Sequence, residues 1–142
     1  MKTNNLSIFA AVLLVPTFWV QAANAEVVVV VSAKSSVASL TKDQVSDIFL
    51  GKSATFPNGE QVIPIDLGEG AAQRDEFHSK FTGKSANQLK AYWSKMIFSG
   101  RATPPKEVPN ASDGKRLIAA NPNSIGYIDK SAVDGSVKVV FQ

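Results

Sequence analysis

Two runs of apolar residues in the chain predict β-strands. Residues 27–31 are five consecutive valines, and an unbroken β-branched run is typical of a strand that is buried on both faces. Residues 62–65 form a second, shorter apolar run that contains Pro64. Because proline cannot donate a hydrogen bond to a neighbouring strand, we expect this strand to lie at a sheet edge or to pair irregularly.

Apolar positions at helical spacing predict four helices. Thr41 and Ser85 are each followed three residues later by a glutamine, which is the pattern of a capping box at a helix start. A further helix is expected from about Ala71, and a short one capped by Ser112. We interpret Trp93 as a core residue, since it shares an apolar stripe with its helical neighbours. The predicted inward positions are Val45, Ile48, Phe49, Phe77, Phe81, Leu89, Trp93, Met96, Ile97, Leu117 and Ile118.

The remainder of the chain completes an alternating pattern. Residues 99–109 contain three prolines and a glycine and are predicted to be irregular. Residues 125–128 and 137–141 are predicted to be the last two strands, separated by a turn at Asp134 and Gly135. The order β, α, β, α, α, α, β, β predicts the α/β class, with a mixed or parallel sheet that is flanked by helices.

The N-terminal segment, residues 1–25, has the pattern of a secretory signal peptide. Lys2 provides a positive start, an apolar run follows from Leu6 to Val20, and Ala23-Asn24-Ala25 is a small-x-small cleavage site. The alternative is an N-terminal membrane anchor that is retained, but the apolar run is short. We therefore expect a mature domain of residues 26–142, exported to a bacterial periplasm and without stable membrane insertion.

Composition excludes several classes of protein. With 44% hydrophobic and 19% charged residues, the 142-residue chain fits one globular domain. The lack of cysteine excludes disulfide scaffolds, thiolate metal sites and cysteine nucleophiles. A single histidine, His78, gives no ligand set for a metal, so neither metal nor cofactor is expected. A net charge of +3 with no basic block gives no reason to expect a nucleic-acid partner.

The segment between residues 66 and 74 is a candidate anion site. A strand, a loop containing Gly68 and Gly70, and a helix from about Ala71 follow one another. Backbone N–H groups at a helix start lack intrahelical partners and attract anions, and Arg74 could add a bidentate contact. The alternative is a plain structural cap, because Glu69 places a negative charge in the same loop.

Other polar residues have weaker claims. Ser35 and Ser36 follow the first strand and could cap a helix or donate to an anion. Asp66 could accept a proton from a bound ligand or form an Asx turn. His78 follows the inward Phe77 and is expected to be a solvated surface residue. We find no nucleophile elbow and no pair of carboxylates, so no catalytic residue is assigned and the protein is not expected to be an enzyme.

Four stretches of the chain resemble a known family, the periplasmic phosphate-binding proteins of ABC transporters. Residues 40–52 are similar to the family's L-s-x-x-q-l-x-d-I-F-x-G-k stretch, and residues 119–128 to its V-a-x-n-p-g-a-I-G-Y-v stretch. Residues 63–77 resemble the strand and loop that continue into R-x-x-G-S-G-T-r-x-x-F. Residues 92–100 with Pro104 and Pro105 resemble the short, single-lobe members. The resemblance implies one lobe of a type 2 periplasmic-binding-protein fold.

The resemblance implies an oxyanion site in the loop, but with altered residues. The family's phosphate-binding serine falls on Ala71, its second glycine on Ala72, its threonine on Gln73 and its upstream arginine on Leu67. The chain is also roughly half the family's length, so we expect it to lack the lobe that closes over the ligand. The candidate contacts are Gly68, Gly70, Ala71, Ala72, Gln73 and Arg74, with Ser35 and Ser36 as further candidates.

Two functions remain open at this point. The first is a solute-binding-like protein that binds phosphate or another oxyanion weakly, with an ABC permease as its possible partner. The second is a non-transport interaction protein that uses the lobe to dock onto a periplasmic or envelope partner. If the structure has an exposed apolar patch where the second lobe would sit, that patch would favour the docking function.

Overall fold

The computed structural model describes residues 26–141, so the predicted signal peptide lies outside the described residues. Every strand and helix falls within one α/β unit. The strands are β1 (Val27–Ser32), β2 (Ile63–Leu67), β3 (Lys106–Val108), β4 (Ser124–Asp129) and β5 (Val137–Phe141). The helices are α1 (Lys42–Phe49), α2 (Ala72–Phe81), α3 (Ala86–Phe98) and α4 (Ala111–Ala120), with a short 3₁₀ turn at Lys130–Ala132.

The five strands form one mixed sheet in the order β3-β2-β4-β1-β5. β2 runs parallel to β3 and β4, whereas β1 runs antiparallel to β4 and β5. The five valines of β1 are fully buried, since this strand has neighbours on both sides and helices across both faces. The predicted buried strand and the predicted mixed sheet are both confirmed.

β2 differs in part from its prediction. It lies between two other strands, so the expected edge position is wrong. The expected irregular pairing is confirmed, because β4 pairs only with Ile63 and Pro64 and β3 pairs with the remaining three residues. β3 itself falls within residues 99–109, which were predicted to be irregular. A three-residue strand between prolines carries too little pattern for sequence to reveal it.

Side-chain caps fix most of the helix starts. Thr41 and Ser85 form the predicted capping boxes of α1 and α3. The prediction for α4 is wrong in detail, because its cap is Asn110 and not Ser112. The Asn110 Oδ1 atom accepts a hydrogen bond from the Asp113 N–H at 2.8 Å, and the helix therefore begins at Ala111.

Helices cover both faces of the sheet. Along β4, Gly126 faces Ile118 of α4 and the next residue, Tyr127, stacks on Phe77 of α2. Successive side chains of a strand point to opposite faces, so α2 and α4 lie on opposite sides. None of the helices in residues 26–141 is long and apolar enough to cross a membrane.

α3 is held by a small apolar cluster apart from the main core. Leu89 and Trp93 are buried there against Leu50, with Met96 half-buried beside them. The structural role predicted for Trp93 is confirmed. The predicted stripe is too long, however, because Ile97 is 56% exposed. α3 thus packs through its middle and leaves its C-terminal turn in solvent.

Candidate functional site

The loop between β2 and α2 presents an open helix start. Gly70 has a left-handed backbone with φ of +91°, which turns the chain from the strand into the helix. Ala71 is the N-cap residue and makes no side-chain hydrogen bond. The other three α-helices in residues 26–141 have side-chain caps. The first N–H groups of α2 therefore have no side-chain cap.

One candidate contact, Ala71, does not offer its N–H group to an anion. The Ala71 N–H closes the loop by donating to the Gly68 carbonyl at 3.2 Å, so it is not free. The first intrahelical bond runs from the Asp75 N–H to the Ala71 carbonyl at 3.1 Å. The N–H groups of Ala72, Gln73 and Arg74 therefore precede the helical ladder, and they are the donors that the helix start offers.

Beneath this loop lies a buried polar network centred on Asp66, which is 4% exposed. Its Oδ1 atom accepts hydrogen bonds from the Tyr127 hydroxyl and, at 2.9 Å, from the Leu67 N–H. Its Oδ2 atom lies 2.9 Å from the His78 Nε2 atom. The Asx-turn alternative for Asp66 is wrong, because the residue lies inside β2 and its carboxylate bonds the adjacent Leu67 N–H and side chains of β4 and α2.

His78 is the residue whose prediction the structure overturns. It is 1% exposed and was expected on the solvated surface. Phe77 and Phe81 belong to the buried face of α2, and His78 lies beside Phe77 with its ring edge-on at 5.0 Å between centroids. The Asp66 carboxylate offers it a polar partner, and burial of a histidine is tolerated when it is hydrogen-bonded.

Tyr127 is held as a hydrogen-bond donor. Burial, together with the negative charge of Asp66 and the hydrogen bond to it, raises the pKa of Tyr127 well above its usual range. Its hydroxyl also accepts from the Leu67 N–H at 3.1 Å. This network was not predicted from the sequence. The one feature of the sequence that pointed to this network was the carboxylate of Asp66 among the apolar residues of β2.

Arg74 links the network to the surface. Its Nε atom lies 3.6 Å from the Asp66 Oδ2 atom and, among the described residues, has no hydrogen-bond partner. The side chain also lines a cleft of about 290 Å³ between α2, α3 and β3. The other charged residues of this cleft are Glu69, Lys90 and Glu107. The cleft is therefore of mixed charge, in contrast to a purely cationic anion trap.

Glu69 does not cap α2. Its carboxylate forms an exposed ion pair with Lys90 of α3, at 3.8 Å between Oε1 and Nζ. The alternative of a structural cap by Glu69 is therefore wrong. Neither Glu69 nor Ala71 accepts a hydrogen bond from the free N–H groups of α2.

Ser35 and Ser36 are not brought to this site. β1 is antiparallel to β4 and β2 is parallel to it, so residues after β1 lie at the end of the sheet where β2 begins. The Ser35 hydroxyl accepts from the Val37 N–H, and the Ser36 hydroxyl donates to Glu60 at 2.8 Å. Neither serine caps a helix, and neither shares an edge with the α2 start.

Solved structures resemble this fold. A Clostridium perfringens protein described as a phosphate ABC transporter substrate-binding protein, solved with bound phosphate, matches with a TM-score of 0.64 at 24% identity. An ABC-type phosphate transport receptor from Vibrio cholerae matches with a TM-score of 0.63 at 20% identity. PstS from Borrelia burgdorferi matches with a TM-score of 0.61 at 11% identity.

These matches confirm the predicted fold. They cover 80%, 80% and 81% of this chain, but only 43%, 44% and 46% of the respective structures. The chain thus has the fold of one lobe of such binding proteins and spans less than half their length. No protein-family model and no curated protein sequence matches it.

Proposed function

We propose that the protein is a periplasmic binding module, and not an enzyme, that holds a phosphate-type oxyanion weakly at the start of α2. The observation that carries this proposal is the uncapped helix start, where three free N–H groups lie beside Arg74. Helix N-termini attract anions through these N–H groups and the helix dipole. The bound phosphate of the Clostridium perfringens structure supports the choice of ligand.

Weak binding follows from the side chains that surround the loop. Ala71, Ala72 and Gln73 bring no hydroxyl to an anion. Arg74 shares its charge with Asp66, and two carboxylates line the adjoining cleft. We therefore expect a Kd in the millimolar range, or about −4 kcal/mol.

An NMR titration with inorganic phosphate tests the proposal. We expect amide shifts at residues 70–74, and tighter binding after the combined changes Ala71→Ser, Ala72→Gly and Gln73→Thr. Hydrogen bonds to a charged group contribute about 1.5–3 kcal/mol each, so one restored bond gives about a tenfold gain. Arg74→Ala should weaken binding, whereas Arg116→Ala, at an exposed arginine of α4, should not. Shifts that map away from residues 68–74 would refute the site.

Export is part of the same proposal. The pattern of residues 1–25 supports cleavage after Ala25 and a periplasmic location. Intact-mass measurement on periplasmic extract tests this, since a mass that still includes residues 1–25 would contradict cleavage.

Delivery of the anion to an ABC permease is the corresponding proposal for a partner. Cross-linking to a permease in membranes tests it.

Docking within the envelope is a second candidate function. Ile97 lines the same cleft as Arg74. Ile97 and the neighbouring Phe98 are the exposed large apolar side chains of residues 26–141. Docking through this surface predicts that Phe98→Ser changes how the protein divides between envelope fractions while phosphate shifts remain. Arg74→Ala should weaken the phosphate shifts and leave the distribution between envelope fractions unchanged. An unchanged distribution of Phe98→Ser would contradict the docking function.

A further inference from the structure

The C-terminal turn of α3 carries two exposed apolar side chains. Phe98 is 96% exposed and Ile97 56% exposed, and they are the large apolar residues that residues 26–141 leave in solvent. Farther back in the helix, Leu89 and Trp93 anchor α3 in its own apolar cluster. Phe98 therefore projects from a fixed helix into solvent, and Ile97 beside it is partly buried against the cleft that it lines.

A defined turn holds this end of the helix. Gly100 adopts a left-handed backbone with φ of +66°. Its N–H donates to the Ile97 carbonyl at 3.1 Å, and the Arg101 N–H donates to the Met96 carbonyl at 3.1 Å. The second bond folds the chain back and places Arg101 beside the last helical turn. We call Ile97, Phe98 and Arg101 the α3 tip.

The sequence around the α3 tip is cationic. No Asp or Glu occurs between Phe77 and Lys106. Lys90 forms an ion pair with Glu69. Arg101 of the α3 tip forms no ion pair with any of residues 26–141. The positively charged side chains of this stretch are Lys80, Lys84, Lys90, Lys95, Arg101 and Lys106.

Two hollows flank the α3 tip, and they differ in charge. On one side, the cleft beside Ile97 is of mixed charge, because Glu69 and Glu107 line it together with Arg74 and Lys90. On the other side, a hollow of about 640 Å³ is lined by Arg101, Lys106 and the hydroxyl residues Ser53 and Thr103, with no carboxylate. The apolar tip is thus bordered by one surface that suits an anionic group.

We propose that the α3 tip binds the surface of an anionic phospholipid bilayer. Phe98 and Ile97 enter the boundary between headgroups and acyl chains, while Lys95, Arg101 and Lys106 lie against the headgroup phosphates. Exposed apolar side chains with lysine and arginine close by are typical of proteins that bind such surfaces. The inference is independent of the oxyanion proposal, because it uses different residues.

A bilayer fits this surface better than a folded protein does. A specific protein interface buries on the order of 1,000 Å² or more around a packed apolar centre. Here the exposed apolar group consists of two adjacent side chains, and Phe98 at 96% exposure stands clear of any groove. A fluid apolar phase accepts a protruding apolar side chain without a matching pocket, and two side chains supply far less area than a specific protein interface buries.

Co-sedimentation with vesicles tests the proposal, using the chain from Glu26 onward, which contains every described element. We expect binding to phosphatidylethanolamine–phosphatidylglycerol vesicles and little binding to phosphatidylcholine alone. Phe98→Ser should weaken binding about tenfold or more, as expected for the loss of one buried aromatic side chain. Replacing Lys95 and Arg101 by glutamine should also weaken vesicle binding, and the loss should be larger at low salt than at high salt.

Controls separate this effect from unfolding and from anion binding. Lys34→Gln removes an exposed charge after β1, outside the α3 tip, and should leave vesicle binding unchanged. Phe98→Ser should keep the wild-type melting temperature and phosphate shifts, since Phe98 lies in solvent. Three results would overturn the proposal: no sedimentation of wild type, equal sedimentation of Phe98→Ser, or Phe98-dependent self-association without vesicle binding.

Discussion

The Nε2 atom of His78 lies 2.9 Å from the Oδ2 atom of Asp66, and both side chains are almost completely buried. This contact joins the end of β2 to the second turn of α2, so it fixes the ends of the loop that carries the candidate anion site. It also sets the position of Arg74, whose Nε atom faces the same carboxylate oxygen.

Asp66→Asn should lower the free energy of unfolding by about 1.5–3 kcal/mol, because it removes the charge that several buried donors share. Urea denaturation measures the change. Asp75→Asn is the matched control, since Asp75 is an exposed carboxylate in the first turn of α2 and its helix-dipole contribution is about 0.3–1 kcal/mol. Equal effects of the two substitutions would show that the buried network contributes nothing special.

Ala71→Asp should stabilise the protein by about 0.5–2 kcal/mol, because it gives α2 the side-chain cap that it lacks. The new carboxylate should also occupy the free N–H groups and abolish the phosphate shifts. Asn110→Ala, which removes the cap of α4, should cost a similar amount and leave the phosphate shifts intact. Wild-type phosphate binding by Ala71→Asp would place the anion elsewhere.

Trp93→Ala should cost about 3–5 kcal/mol, as large buried aromatic residues do. Phe98→Ala, five residues farther along α3, should change stability by less than about 0.5 kcal/mol, because Phe98 packs against nothing. Chemical denaturation of both variants gives the comparison. A larger loss for Phe98 than for Trp93 would mean that α3 packs differently in solution.

Gly126→Ala should cost about 1–3 kcal/mol through overpacking. A Cβ atom at this position would overlap the Ile118 Cδ1 atom and would lie 3.4 Å from the Ile65 carbonyl oxygen. Ile118→Val removes the nearer atom, so the double variant should lose less stability than the two single variants together. Strict additivity in this cycle would argue against the contact.

Local patterns explain which parts of the fold were predictable. The valine run of β1 and the capping boxes at Thr41 and Ser85 depend on neighbours within a few residues, and all three are confirmed. The contact of Asp66 with His78 depends on how β2 and α2 pack, which no local pattern encodes. For the same reason Ser35 could not be placed, because the relative direction of β1 and β2 decides which edge it occupies.

The placement of β1 has a consequence for how the chain folds. This strand pairs with residues 125–129 of β4 and with residues of β5 between 137 and 141, roughly 100 positions away. β1 therefore has no partners until almost the whole chain has left the ribosome, and folding before synthesis is complete cannot complete the sheet. Until then five adjacent valines stay without strand partners, and an unpaired β-branched run of this kind is an aggregation hazard during synthesis.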